Sequence, residues 1–163
     1  DEKPILYSHC RFMLGKLLGI KNTDDVIFSN VKVRKQDQHI DMWVELTVAC
    51  QGKMSKHALL IENKYYTGLH DTTDVDGVKR NQLVVYKNTF DAHYADKPNE
   101  DWKLHYALIT CLERENDSKF EQYRIAEEFG FKLFSFYELL ENDIQTESDL
   151  FNEFWYRWGD PRF

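Results

Sequence analysis

The chain has 163 residues, of which 42% are hydrophobic and 15% aromatic, and we expect one domain over residues 1–163 that needs no metal or disulfide to stabilise its core. The formal net charge of −7 argues against a simple polyanion binder. The 3 cysteines form no C-x-x-C pair, which fits a reducing cytoplasm. No apolar run approaches the length of a membrane span and no signal peptide is visible, so we expect a soluble, cytoplasmic protein without a membrane partner.

The first predicted element is a helix over residues 5–18, where apolar side chains recur at helical spacing until Gly19. Three apolar stretches then predict strands over residues 26–33, 40–49 and 58–65. A polar turn containing Gly52 separates the last two, so we expect them to form a hairpin.

The second half of the chain begins with a polar stretch over residues 67–77, followed by a predicted helix over 77–90 and a strand over 104–109. After a charged loop at 113–119 we expect a helix that ends at Gly130, a strand over 131–134 and a helix that begins at the capping box Ser135-Phe136-Tyr137-Glu138. A last helix over 146–158 has an apolar side that is either core or a homodimer face. This order predicts an α/β fold with an αβββαβ core, a mixed central sheet flanked by helices, and C-terminal helices.

The acidic excess is confined to one part of the sequence. Residues 1–100 hold 14 acids and 14 lysines or arginines, whereas residues 101–163 hold 14 acids and 7 lysines or arginines. The first part is therefore neutral and would gain positive charge from a bound metal ion.

Charged residues end the third predicted strand. Glu62-Asn63-Lys64 follows the apolar run at 58–61, and alternation along a strand places Glu62 and Lys64 on one face. Burying such charges costs several kcal/mol unless they are paired or bound to an ion. The alternative is an exposed ion pair worth about 0–1 kcal/mol. Asp41 opens the second strand, and the hairpin can bring it beside Glu62.

Two polar residues share a face of the predicted helix at 77–90. Gln82 and Tyr86 are four positions apart and can point to one place, although a half-buried helix face would show the same spacing. The segment Asp74-Val75-Asp76-Gly77 fails the EF-hand pattern and indicates a polar loop. Among the histidines, His70 alone follows Lys64 closely enough to be of interest.

Ile40-Asp41, Glu62-Asn63-Lys64 and the Q-x-x-x-Y pattern of Gln82-Leu83-Val84-Val85-Tyr86 together resemble the PD-(D/E)XK nuclease superfamily, including uncharacterised bacterial members. The resemblance spans about Ser8 to Ile109, and His39 stands where the motif has its proline. It implies a restriction-endonuclease-like fold and an Mg²⁺- or Mn²⁺-dependent endonuclease that acts on DNA more than on RNA. Some relatives use a further acid from the first helix, for which Glu2 is the candidate.

The resemblance gives the residues roles. Asp41, Glu62 and the Asn63 carbonyl offer the hard oxygen ligands that suit Mg²⁺ or Mn²⁺. Lys64 would orient or deprotonate the attacking water, or stabilise the transition state. Gln82 would orient the lysine or a phosphate, with Tyr86 in a supporting or phosphate-binding role. Lys79 and Arg80, which open the predicted helix, would reach DNA phosphates.

Two hypotheses of different classes remain. Intact Asp41, Glu62 and Lys64 favour a metal-dependent deoxyribonuclease of the defence or restriction type. The acidic surface favours a nuclease-fold binding or regulatory module that does not cut.

Overall fold

The structure, a computed structural model, describes residues 4–65, 67–97, 100–112 and 118–139. Its α-helices are α1 (Pro4–Leu18), α2 (Gln82–Ala95) and the short α3 (Ile125–Glu128). Its strands are β1 (Val26–Asp37), β2 (Ile40–Cys50), β3 (Lys53–Lys64), β4 (Asp71–Thr73), β5 (Lys79–Asn81), β6 (Trp102–Thr110) and β7 (Lys132–Ser135). Two 3₁₀ segments, Ser118–Tyr123 and Phe136–Leu139, complete the described elements.

A five-stranded mixed sheet in the order β1-β2-β3-β6-β7 forms the centre of the fold. The pairs β1–β2 and β2–β3 are antiparallel, whereas β3–β6 and β6–β7 are parallel. The chain passes from β3 to β6 through the small β4–β5 hairpin and α2. The carboxyl ends of β3, β6 and β7 therefore meet at one edge of the sheet.

Apolar side chains cover both faces of this sheet. Strand alternation divides β3 between two cores, so that Ala58 and Leu60 pack on the side of α2, whereas Leu59 and Ile61 pack on the side of α1. The α2 side also holds Trp43, Leu83, Phe90 and Leu108, and the α1 side holds Leu17, Leu18, Val44 and Ala107. Each helix thus supplies the apolar layer that one sheet face needs.

The sequence-based elements of the first half are confirmed, with longer strands. The second and third strands form the predicted hairpin, and its turn is only Gln51 and Gly52, which have φ values of 49° and 75°. Two consecutive positive φ values are typical of the two-residue hairpin turns that match strand twist. The predicted α/β class and the mixed sheet flanked by helices are present as well.

The predicted start of the second helix is wrong. We expected the helix to begin at Gly77, but residues 79–81 form β5, and α2 begins at Gln82 and continues to Ala95. The side chain of Asn81 accepts a hydrogen bond from Leu83 N, which satisfies one of the free N–H groups of the first helical turn. The N-cap is therefore Asn81, and the polar stretch before it holds the β4–β5 hairpin.

The predictions for the C-terminal part have a mixed outcome. The helical segment before Gly130 is a 3₁₀ segment followed by the short α3, and the expected strand is β7. Glu138 accepts a hydrogen bond from Ser135 N, which is one half of the predicted capping box, and the segment it opens is 3₁₀ as far as Leu139. The predicted helix over 146–158 and the candidate Glu2 lie outside the described residues. No described helix has both the length and the apolar character required to cross a bilayer.

Candidate active site

Glu62 and Lys64 lie on the face of β3 that α2 covers, because alternation places them on the same side as Leu60. Both residues are buried, with 3% and 7% of their surface exposed, and Lys64 Nζ lies 2.9 Å from Glu62 Oε1. The alternative of a solvated surface ion pair is wrong for these residues. The pair lies in the protein interior, where the energetic cost of burying each charge has to be offset by its interactions with its partners.

Asp41 reaches the same place from the neighbouring strand. The β2–β3 ladder ends at the pair Met42 and Ile61, so Asp41 stands beside Glu62 just past the last paired residues. Asp41 Oδ2 accepts a 2.9 Å hydrogen bond from Asn63 N. The N–H and C=O of one strand residue leave toward the same neighbouring strand. The Asn63 carbonyl therefore faces the side of β3 on which Asp41 lies.

The two oxygens of Glu62 differ in their hydrogen bonding. Oε1 contacts Lys64 Nζ and accepts a 2.7 Å hydrogen bond from Gln82 Nε2. Oε2 is buried and has no hydrogen-bond partner among the residues that the structure describes. An unsatisfied buried acceptor costs about 1–3 kcal/mol, and more when it is charged. A proton or a cation at Oε2 would satisfy this acceptor.

The electrostatics of Glu62 agree with this geometry. Burial is the main cause that raises the pKa of the Glu62 carboxyl above its ordinary value, and the nearby Asp41 charge raises it further. Lys64 and Gln82 act in the opposite direction by stabilising the ionised form. A bound cation would stabilise the ionised form much more strongly than these two groups do.

Gln82 is the first residue of α2 and is completely buried. Its backbone N–H donates to the carbonyl of His70, and its side-chain oxygen accepts from His70 N at 3.4 Å. The Gln82 amide is thus held with its oxygen toward the loop and its nitrogen toward Glu62. His70, which the sequence analysis singled out, contributes through its backbone, while its side chain is exposed.

Tyr86 lies one turn further along α2 and is half-buried. Burial raises the pKa of its phenol, and the charges of Glu62 and Asp41 raise it further. Both carboxylates therefore act on the same phenol, which stays neutral and able to donate a hydrogen bond at neutral pH. The structure thus places Asp41, Glu62, Lys64 and Gln82 around the end of β3, and Tyr86 lies within electrostatic range of both carboxylates.

Lys79 and Arg80 do not open the helix as we expected, because both belong to β5. The Arg80 guanidinium contacts Asp74 at 2.9 Å and makes two bonds of 2.7 Å to Asp76. These contacts close the β4–β5 hairpin, which explains the polar loop at Asp74-Val75-Asp76-Gly77. Lys79 is exposed.

Thr110 is a site neighbour that the sequence analysis missed. It ends β6, pairs in register with Lys64 and is 1% exposed. Our predicted strand stopped at Ile109, one residue too early. Alternation from the buried Leu108 would have placed Thr110 on the same face as Lys64.

The residues present fit a hard divalent cation. Among the described residues no group of three or more His, Cys, Asp or Glu side chains could hold a metal ion. Mg²⁺ does not require such a group, since it is often bound by one or two carboxylates together with waters and substrate phosphates. The unpartnered Glu62 Oε2, the Asp41 carboxylate and the Asn63 carbonyl provide this smaller set of oxygens.

Comparison with known proteins adds no assignment. No family model matches the sequence, and no curated protein matches it either.

Proposed function

We propose that this protein is a metal-dependent nuclease that hydrolyses phosphodiester bonds, with DNA as the main substrate, and that its fold is that of the PD-(D/E)XK nucleases. The observation that carries the proposal is the buried Glu62, whose Oε2 has no hydrogen-bond partner in the described part of the chain although an ammonium and a second carboxylate stand beside it. Phosphodiester hydrolysis needs these components, namely oxygens that bind a cation and a fixed positive charge for the phosphate.

The order of elements supports the nuclease fold. The αβββαβ arrangement has an antiparallel β1-β2-β3 unit followed by the parallel strand β6, and the candidate residues stand where β2 begins and β3 ends. Within the described residues of this arrangement, the β4–β5 hairpin is inserted between β3 and α2 and leads directly into Gln82.

Asp41, Glu62 and the Asn63 carbonyl would hold Mg²⁺ or Mn²⁺. The bound ion would neutralise the scissile phosphate and lower the pKa of a water molecule. The protein fixes these oxygens beforehand, because Asp41 is tied to Asn63 N and Glu62 is tied to Lys64 and Gln82.

Lys64 provides the positive charge on the protein side. Its ammonium has three donors, of which one contacts Glu62 Oε1, so the others can reach a phosphate oxygen or a water molecule. Its burial strengthens both interactions, since charges act more strongly where water is excluded. As an ammonium, Lys64 orients the water or stabilises the charge of the transition state; to deprotonate the water it would first have to give up one of its own protons.

Gln82 and Tyr86 support this arrangement from α2. The Gln82 amide keeps Glu62 Oε1 in place and thereby fixes the position of the lysine that shares this oxygen. The neutral Tyr86 hydroxyl, close to both carboxylates, is suited to donate to a phosphate oxygen.

The proposal is tested by incubating the purified protein with single- and double-stranded DNA and with RNA in Mg²⁺, Mn²⁺, Ca²⁺ or EDTA. We expect cleavage of DNA in Mg²⁺ or Mn²⁺ only. The Glu62→Gln variant keeps the shape of the side chain but removes its charge, and should be inactive. Lys56→Ala, at the other end of β3, is the matched control and should cut like wild type. Equal cleavage in EDTA would refute the proposal.

A second function, a nuclease-fold binding or regulatory module, is favoured by one feature of the site. Glu62 and Lys64 already compensate part of each other's charge, so a protein that does not cut could retain the pair to stabilise its fold. If wild type and Lys64→Ala are equally inactive on every nucleic acid while a protein partner binds tightly, this second function replaces the first.

A further inference from the structure

A polar groove of about 430 Å³ lies on the α2 side of the sheet, near the start of β3. We call it the lysine groove. Strands β1, β2, β3 and β6 and the segment after α2 border it, and the charged side chains that line it are Lys32, Glu45, Lys56, Lys97 and Glu100. Its lining is therefore much more highly charged than the apolar core beneath α2.

A β-bulge places one of these lysines. The register of β1 against β2 shifts between Ser29 and Lys32, and Asn30 at this point has a φ of 52°. Regular pairing would set Val31 opposite Glu45, whereas the extra residue sets Lys32 there. Because a shift of one residue exchanges the two faces of a strand, the bulge turns Lys32 toward the groove.

The two carboxylates of the groove already have cations of their own. Glu45 Oε1 accepts a 2.9 Å hydrogen bond from Arg34 Nη2 and a 2.8 Å hydrogen bond from the Tyr94 hydroxyl. Glu100 Oε2 lies 2.9 Å from Lys56 Nζ. The charges of Glu45 and Glu100 are thus balanced by Arg34 and Lys56.

The ammonium groups of Lys32 and Lys97 have no such balance. Neither forms an ion pair with any residue that the structure describes. Lys97 Nζ lies 2.9 Å from His93 Nε2 and 5.2 Å from the centre of the Tyr94 ring. Burial and the Lys97 charge lower the pKa of His93, so this imidazole is neutral at pH 7. The groove therefore holds two uncompensated positive charges, which an anion would neutralise.

The groove suits a strand of phosphates better than a nucleobase or a small free anion. The faces of the Trp102 ring are not open to a base, since Lys56 and Lys97 lie over this ring at 5.5 and 5.9 Å. The guanidinium fork that would grip a single phosphate belongs to Arg34, which is bound to Glu45. The remaining ammonium groups stand on separate elements, as contacts to successive phosphates require.

We propose that the lysine groove binds the phosphate backbone of a nucleic-acid strand through Lys32 and Lys97, an inference that rests on the proposed nuclease function. Lys56 and Glu62 are six residues apart on β3. This separation is about 20 Å, or about six phosphates of one strand of a duplex. The groove thus gives a protein with a net charge of −7 a local site for a polyanion, remote from the bond that is cut.

The test measures how binding of a labelled 20-nucleotide single-stranded DNA depends on salt, in EDTA so that nothing is cut. Lys32→Ala and Lys97→Ala should each reduce the slope of log K against log salt by about 0.7, and the double variant by about 1.4. Lys103→Ala is the matched control, because this exposed lysine follows Trp102 on β6 and points to the opposite face. No binding by wild type, or equal slopes for wild type and the double variant, would overturn the proposal.

A variant with the opposite expected effect excludes loss of folding as the cause. Glu100→Gln removes the carboxylate that balances Lys56 and so leaves a further positive charge in the groove. It should bind the oligonucleotide more tightly than wild type, with a steeper salt dependence. Weaker binding by Glu100→Gln would contradict the proposal.

Pyrophosphate distinguishes a strand from a free anion. Titration into the protein, followed by the indole N–H signal of Trp102 in NMR spectra, should show weaker binding than titration of the oligonucleotide. Tighter binding of pyrophosphate would overturn the assignment to a strand.

Cleavage assays distinguish failure of this inference from failure of the proposed function. In Mn²⁺, the double variant Lys32→Ala/Lys97→Ala should raise KM and leave kcat unchanged, as loss of binding far from the chemistry does. Cleavage with an unchanged KM would refute the groove and keep the nuclease. Binding with the expected slopes but no cleavage of any nucleic acid would refute the nuclease and keep the groove.

Discussion

Two charged clusters flank the start of α2. The hairpin cluster consists of Asp74, Asp76 and Arg80, and the site cluster of Asp41, Glu62, Lys64 and Gln82. The two clusters shift the pKa of a carboxyl in opposite directions. In the hairpin cluster, Arg80 bonds both Asp74 and Asp76, and every carboxylate oxygen has a donor. Arg80 is the main cause that lowers the pKa of Asp76 to about 2. In the site cluster, the pKa of Glu62 is raised, chiefly by burial, and Oε2 has no hydrogen-bond partner among the described residues.

The hairpin cluster stabilises the local fold, whereas the charges of the site cluster are held in position by the rest of the fold. The hairpin cluster uses an arginine fork, which matches a carboxylate with two parallel hydrogen bonds, and it places the loop that leads into α2. In the site cluster the Glu62 carboxyl is buried, and this burial disfavours its ionised form. Such perturbed groups concentrate at functional sites, where a ligand provides the missing interaction.

Removing the lysine of the site cluster should give the largest effect. Lys64→Ala should lower the rate of DNA cleavage by at least about a hundredfold, because in the proposed mechanism the ammonium orients the water or stabilises the charge that develops in the transition state. DNA affinity should change little, since one ammonium among several phosphate contacts contributes little to holding the backbone. The measurement is cleavage and binding of the same oligonucleotide. Cleavage by Lys64→Ala at the wild-type rate would show that the two clusters do not differ in function.

The second-largest expected difference between the two clusters is their response to divalent ions. Ca²⁺ at about 100 times its Kd should stabilise the folded protein by about 2.7 kcal/mol, as binding to the folded state alone requires. It should not support cleavage, because its longer and looser coordination activates water poorly. The readout is the shift in Tm on adding Ca²⁺. Asp41→Asn should lose the shift and Asp76→Asn should keep it; the reverse result would move the cation site to the hairpin.

The central part of the site follows from sequence because strand alternation is strongly specified where a face is buried. Glu62 and Lys64 share a face in any register that buries Leu60, and a short hairpin can bring only the start of β2 near them. The roles assigned to these residues remain predictions, since side-chain position alone does not establish chemistry.

The hairpin cluster was not predictable in the same way. The strands β4 and β5 have three residues each and carry no apolar alternation, so the polar stretch gave no strand signal. The hairpin depends on the contact of Arg80 with Asp74, two residues whose pairing is not evident from their spacing. We therefore began the helix at Gly77 instead of after Asn81, and we missed Thr110 by ending β6 one residue early.

Breaking the hairpin cluster should affect stability and leave catalysis unchanged. Arg80→Ala removes one donor from the buried Asp74 Oδ2, which keeps the 3.3 Å hydrogen bond from Asn88 Nδ2, and should therefore lower the free energy of unfolding. Urea unfolding measures this change. Lys79→Ala, an exposed neighbour, should leave stability unchanged but reduce the salt dependence of DNA binding by about one unit of slope if it contacts a phosphate. Similar stabilities of the two variants would contradict the structural role of Arg80.

The smallest expected effect lies in the pH dependence of stability, where the two clusters should differ in sign. A carboxyl whose pKa is lowered by folding stabilises the protein above its unfolded pKa, so Asp76 should lose its contribution as the pH falls from 3.8 toward about 2. A carboxyl whose pKa is raised does the opposite. Ionised Glu62 should therefore lower stability as the pH rises from 4.5 through its raised pKa.

Matched variants isolate these two slopes from the rest of the protein. His105, whose pKa burial lowers to about 4, should reduce stability as the pH falls from 6.5, but this background is common to wild type and variants. In metal-free buffer, Asp76→Asn should remove part of the loss below pH 3.8, and Glu62→Gln should remove part of the decline above pH 4.5. Urea midpoints across both ranges provide the measurement. If the Glu62→Gln curve runs parallel to wild type above pH 4.5, burial does not raise the pKa of the Glu62 carboxyl. The two clusters would then not differ in the sign of their pH dependence.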